Sequence, residues 1–324
     1  SFHAWINPYR IATRKDKDEE FPELDAKIPV ELTKDYSNIR IYNPALPEVR
    51  QRINDIIKDL ITKYDVDGVH LDDYFYPALP SGESLNDDTE YKANVKNADG
   101  EYEMSVADFR RNNVNLAVKG IHDIIQATRP EVVFSISPAG NNDNNFNRLF
   151  ADVLKWSREG WTEAIIPQLY FSMGAAETSF NHLLHWWAQF TYNNAIFVGY
   201  GIYKFDPASE NVAYQTSEEL ANQFAFASTI RKVQGSVLYS AVSLLKNKAN
   251  IMDVIRETYK QPAILPYLGK AKAVLPPSPS SLRLNGKELQ WTGPADAYYG
   301  VYRSNGAGKT ATLVAITRDP KQEL

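Results

Sequence analysis

Val66-Asp-Gly-Val-His-Leu-Asp-Asp-Tyr-Phe-Tyr-Pro77 reads as a buried strand that runs directly into polar, ring-bearing chemistry. Its apolar first half suits a strand covered on both faces, as in a parallel sheet flanked by helices. Its end carries His70, Asp72, Asp73 and Tyr74. Strand side chains alternate between faces, so His70 and Asp72 are expected to point one way and Leu71 and Asp73 the other. A carboxylate beside an imidazole at a strand end can act as base or nucleophile, and neighbouring carboxylates push each other's ionisation apart. The plainer use of either aspartate is to cap the following loop.

The same design recurs along the chain. Short apolar or β-branched runs occur at Phe2–Asn7, Val66–Phe75, Val132–Pro138, Ala164–Tyr170, Ile196–Tyr203 and Ser236–Ala241. Helical periodicity fills the gaps. Val49, Ile53, Ile56, Ile57 and Leu60 share one face, as do Val114, Ala117, Val118, Ile121 and Ile125. Phe180, Leu183, Leu184 and Trp187 mark a third helix, and Leu220, Phe224, Ala227 and Ile230 a fourth. Ser105 with Asp108 reads as a capping box. Repeated βα units imply a parallel sheet covered by helices. Polar residues follow many successive strands, which suits a TIM-type (β/α)8 barrel whose site is pooled from its loops. A doubly wound sheet would carry a Gly-rich first turn, and none is evident.

Six βα units are found where such a barrel has eight. The expected fold is therefore α/β, a (β/α)8 barrel lacking its first two units over residues 1–271, supplying the third to eighth strands. A six-strand arc has two open edges, which something upstream or a neighbouring copy is expected to close. Residues 272–281 form a Pro/Ser linker, and residues 282–324 a partial β-sandwich. Its strand-like pieces at Leu282–Leu284, Glu288–Trp291, Tyr298–Arg303 and Thr312–Ile316 are separated by turn residues such as Asn285-Gly286.

The chain has 324 residues, with 44% hydrophobic and 23% charged, an ordinary globular composition. Its net charge of −5 argues against binding to nucleic acid, which needs a concentrated basic face. No apolar run is long enough to span a membrane. The absence of cysteine excludes disulfides, thiolate metal sites and cysteine nucleophiles. His182 and His185 lack a partner acid at zinc-ligand spacing, so no metal is expected. Gly306-Ala-Gly308-Lys-Thr310 lies in the β-rich tail without the strand–loop–helix setting of a phosphate loop.

Further candidate contacts sit past other strands. Asn7, Tyr9 and Arg10 offer hydrogen bonds beside an aromatic platform, which suits a sugar ring, although Pro8 can equally pin a structural turn there. His3 is expected inside the barrel. Ser137 opens a polar loop whose acid is Asp143. Gln168 and Tyr170 share a face by alternation, and Tyr200 and Tyr203 are similar. Residues 77–104 form a long acidic insertion, a candidate lid or cleft wall. Arg110 and Arg111 are expected to brace it.

Together these motifs resemble the YngK-like glycosyl-hydrolase-like family of bacterial envelope lipoproteins. The resemblance is carried by His3–Arg10, Val66–Pro77, Asp108-Phe-Arg-Arg-Asn-Asn-Val-Asn115, Ser135-Ile-Ser-Pro138, Ile166-Pro-Gln-Leu-Tyr170 and the Trp186-Trp187 helix. It implies a (β/α)8 glycosidase-like barrel followed by a fibronectin-type-III-like module. It also implies location in the cell envelope or outside the cell, and a glycan substrate, with peptide-free peptidoglycan strands as the leading candidate. Asp72 is then the expected essential carboxylate, a nucleophile or a stabiliser of an oxocarbenium-like transition state. Asp73 and Asp143 are the candidate partner acids. No cofactor is required. A non-catalytic glycan-binding protein is the alternative, and the C-terminal β module is a candidate surface for protein contact.

Overall fold

The computed structural model describes residues 1–324 apart from Lys17, Ala98, Glu177, Leu265, Tyr267, 269–275, Asp296 and Leu324. Six strands form one parallel sheet: His3–Ile6, Gly68–Leu71, Val133–Ile136, Ala164–Ile165, Ala195–Tyr200 and Val233–Leu238. Each pairs with the next in chain order. That unbroken order is the winding of a TIM-type barrel, since a doubly wound sheet reverses at a switch point. The sheet curls, so that Trp5 on the first strand meets Tyr239 just past the sixth, their rings 6.1 Å apart. Gly68 permits the inward packing. A Cβ there would meet the His3 ring at 2.4 Å.

Helices cover the outside of the sheet. Pro47–Lys63 starts on a proline at its first turn, where the missing N–H is not needed. It buries Val49, Ile53, Ile57 and Ile61. Ile56, expected on that face, is 47% exposed, because a 3.6-residue repeat turns it away from the 53–57–61 stripe. Val106–Thr128 opens with the Ser105 hydroxyl accepting from the Asp108 N–H at 3.1 Å, and it buries the expected face. Phe180–Phe190 and Glu218–Ser228 likewise bury the expected apolar stripes up to Ala227.

Three local features depart from the expectation. Residues 10–42 contain an antiparallel sheet of Arg10–Thr13, Ile39–Tyr42 and Thr33–Asp35, with Ile39–Tyr42 in the centre. The Ala164–Ile165 strand is short. Pro167 has no N–H to donate, and beyond it Gln168 makes only single bridges to Ala139 and Gly199. The insertion after Pro77 is folded, with a helix at Asp88–Val95. Tyr91 stacks on Tyr102 at 4.8 Å and leans on Phe109 at 5.6 Å. Arg110 braces the insertion as expected, clamping Asp87 through Nε at 2.9 Å and Nη2 at 2.5 Å. Arg111 instead donates to the Phe146 carbonyl and to Asp108.

The tail is a small all-β module. Ser280–Asn285, Glu288–Thr292 and Lys321–Glu323 form one antiparallel sheet, and Tyr299–Ser304 pairs with Ala311–Thr317 in another. Trp291, Tyr299 and Val301 make its core. The first part of the expected linker, 272–275, lies outside the described residues. Among the described residues no helix is long and apolar enough to cross a membrane.

Removing the guanidinium that faces buried Asp87 leaves an uncompensated carboxylate inside the protein. Arg110→Ala is expected to lower stability by about 3 kcal/mol in urea unfolding. Proteolytic nicking should then appear within 77–104, and an unchanged midpoint would refute the bracing role.

Candidate active site

A cleft of about 630 Å³ opens at the carboxyl ends of the parallel strands. The first strand contributes Trp5, the second His70, Asp72, Asp73 and Tyr74, and the following loops Ser137, Gln168, Tyr170, Tyr203 and Tyr239. The paired register sets Trp5 opposite His70 and Ile6 opposite Leu71. The second strand ends at Leu71, so alternation no longer governs the next two residues. Asp73 therefore lines the same cleft as Asp72 instead of the opposite face.

Asp72 is the most enclosed of the polar groups, with 4% of its surface exposed. Its Oδ2 accepts from the Trp5 indole N–H at 3.2 Å, and its Oδ1 from the Tyr74 N–H at 3.3 Å. Burial disfavours the charged form and pushes its pKa up to about 6, against the pull of the Tyr74 N–H. Burial also raises Asp73, whose charge the Gln168 amide supports from 3.3 Å. Gln168 is itself aimed by a bond to the Ser137 carbonyl at 3.1 Å. His70 shares a hydrogen bond with Ser135 at 2.9 Å. Burial, helped by the nearby His3, pushes its pKa down to about 4, so it is neutral near pH 7.

Aromatic rings wall the remainder. Tyr170 stacks near-parallel to Tyr239 at 6.1 Å and meets Tyr203 edge-on at 5.9 Å. Gly201 makes room for Tyr170, since a Cβ there would come within 3.0 Å of its ring. The Lys204 ammonium holds the Tyr170 carbonyl at 2.5 Å. Arg10 lies 3.9 Å above the Tyr74 ring. The Asn7 amide, with its oxygen turned to Arg10, accepts from Nε at 3.2 Å and Nη2 at 2.9 Å and sits beside Asp72. Flat apolar faces with amide and carboxylate edges are the chemistry of a pyranose site.

Three expected site residues are elsewhere. Tyr9 is buried in the core, because its strand-end position turns under the added antiparallel sheet. Asp143 lies in the first turn of the Asn142–Asn147 helix, bonded by the Asn147 amide at 2.6 Å, and faces a separate groove. Tyr200 is buried between Phe180 and Phe224. The sequence reading names neither Trp5 nor Tyr239 as a site residue, although Trp5 shares the alternation of His3 and Asn7, and Tyr239 directly follows the last strand. Among the described residues no group of three or more His, Cys, Asp or Glu is placed to hold a metal ion.

A TIM-type arc with the buried Asp72 and the half-buried Asp73 under an aromatic cradle defines a glycosyl hydrolase-like protein. The model of the family Glycosyl hydrolase-like 10 matches residues 2–216, and the chain belongs to that family. It is 32% identical to glycosyl hydrolase YngK of Bacillus subtilis (strain 168), over 99% of this chain and 68% of that protein. It is 27% identical to glycosyl hydrolase DigH of Escherichia coli (strain K12), over 73% of this chain and 59% of that one. Among solved structures, the PgaB (BpsB) glycoside hydrolase domain from Bordetella bronchiseptica aligns at 11% identity. The TM-score is 0.44, covering 78% of this chain and 73% of that domain.

Asp72 binds its proton more tightly folded than unfolded, so stability falls as pH rises from about 4 to about 6 and stays reduced above. Asp72→Asn removes that penalty. It should stabilise the protein at pH 7 by on the order of 2 kcal/mol, and by much less at pH 4. Thermal melts at both pH values check this, and equal shifts would contradict it.

Proposed function

We propose that this protein hydrolyses O-glycosidic bonds in a bacterial envelope glycan, with peptide-free peptidoglycan strands as the leading substrate. The observation that carries the reading is the enclosed Asp72, with Asp73 beside it, at the floor of an aromatic cleft. The names of the curated relatives, both glycosyl hydrolases, support the reaction class. Activity in the cell envelope or outside the cell is the location that goes with such a substrate.

The raised proton affinity of Asp72 favours the acid role over the nucleophile role. Protonated Asp72 gives its proton to the glycosidic oxygen as the C1–O bond breaks and the electron pair leaves with that oxygen. Asp73, whose charged form the Gln168 amide supports against the cost of burial, faces the positive charge that develops at the sugar ring. Water then adds at C1, and its proton passes to a carboxylate. His70 is neutral at pH 7 and bonded to Ser135, so it shapes the floor and does not supply the proton. The tyrosines and Trp5 hold the sugar by its apolar faces.

Incubation with peptide-free peptidoglycan strands should yield new reducing ends by mass spectrometry. Asp72→Asn should lower kcat/KM by about 100-fold or more. With Asp72 as acid, kcat/KM should fall as pH rises through about 6. A rise through the same pH would make Asp72 the nucleophile. Strands retained by the protein without any cleavage would point to a glycan-binding protein.

A further inference from the structure

The cleft continues past Arg10. Beyond the Arg10–Tyr74 stack lies a second chamber of about 370 Å³, which shares Arg10, Asp73 and Tyr74 with the first. Its remaining walls include Arg14 and Asn38 beside the antiparallel sheet, Ala78 at the start of the insertion, and Asn144. The two chambers differ in chemistry. Arg10 belongs to both, but the first is otherwise walled by Trp5, Tyr170, Tyr203 and Tyr239, whereas the second adds Arg14, Asn38 and Asn144 to apolar walls such as Ile41 and Phe75. Both volumes suit small-ligand sites. Asp73 lines both chambers and Asp72 the first, so a glycan lying across Asp73 has sugars on each side.

The two arginines are not equivalent. Arg14 is committed to the protein, donating to the Ser37 and Glu19 carbonyls at 2.6 Å each. Arg10 touches only a ring face and the Asn7 amide oxygen among the described residues, with no carboxylate within ion-pair distance. Its fork keeps donors free at the mouth of the second chamber. A guanidinium is charged at every working pH, and its planar donors match a carboxylate in two-pronged fashion.

We propose that the second chamber is a subsite for a sugar bearing a carboxylate, bound by Arg10, so that the carboxylate pair meets an internal bond of an anionic glycan. This rests on the glycan-hydrolase reading and specifies the substrate of the same site. The rival role for Arg10 is only to support the charges of Asp72 and Asp73.

The test is calorimetric binding to the Asp72→Asn protein, which keeps strands uncut. The probes are peptide-free peptidoglycan strands with their lactyl carboxylates intact, and the same strands with those groups reduced to alcohols. Intact strands should bind about 10-fold tighter, and Arg10→Gln should abolish that difference. Ala78→Trp fills the chamber without altering charge, and should weaken strand binding about 10-fold at an unchanged melting temperature. Equal affinity for the two probes would overturn the proposal, and so would unchanged binding by a folded Ala78→Trp protein. An Arg10→Gln loss shared equally by both probes would overturn it in favour of the rival role. No binding to either probe would overturn it together with the glycan reading. Carboxylate-dependent binding without cleavage by the unsubstituted protein would support the subsite and sink only the hydrolase reading.

Discussion

The Trp5 indole donates to the Asp72 carboxylate across two strands whose parallel register sets Trp5 beside His70 and Ile6 beside Leu71. That register places the acid. Asp72 is the first residue after the second strand, where it is covered by the indole on one side and by the Tyr74 turn on the other. The third strand continues the arrangement, with Ser135 paired to His70 in register and bonded to its ring. Each neighbour removes water from the strand ends, and removal of water is what raises the proton affinity of Asp72. The curl of the sheet completes the enclosure by bringing Tyr239 onto Trp5.

Stability and chemistry oppose each other at this point. A buried carboxylate weakens the fold at neutral pH, and the protein tolerates it because the surrounding core is extensive. Val69, Leu71, Phe134, Ile136, Ile165 and Val198 are buried in the sheet under Trp187 and the helix faces. His70 acts in the reverse sense. It must lose its proton to fold, so its contribution to stability grows as pH rises from about 4 to about 6.5. The two groups therefore offset each other over the window in which Asp72 titrates.

Much of this was legible in the sequence, because parallel strands buried on both faces have to be apolar along their length. All six runs mark strands, and the carboxylates, Gln168, Tyr170 and Tyr203 follow from reading what lies past them. The failures have physical causes. Alternation separates Asp72 from Asp73 only while the strand lasts, and it stops at Leu71. The sheet within residues 10–42 is built from strands of three or four residues, such as Arg10-Ile-Ala-Thr13, too short and too charged to show a period. Tyr9 is drawn into the core by that unseen sheet, and Asp143 belongs to a helix start that composition presents as a loop. Tyr239 follows the last strand, but its meeting with Trp5 comes from the curl of the sheet, a long-range property that no local pattern carries.

Enclosure raises the proton affinity of Asp72, so that it titrates at about 6 and not in the ordinary aspartate range. Selective 13C labelling of aspartate, with the Asp72 carboxyl resonance assigned by its loss in Asp72→Asn, follows that proton directly. A titration midpoint at about 6 is expected. A midpoint near the ordinary aspartate value of about 3.9 would contradict it, and with it the acid role of Asp72.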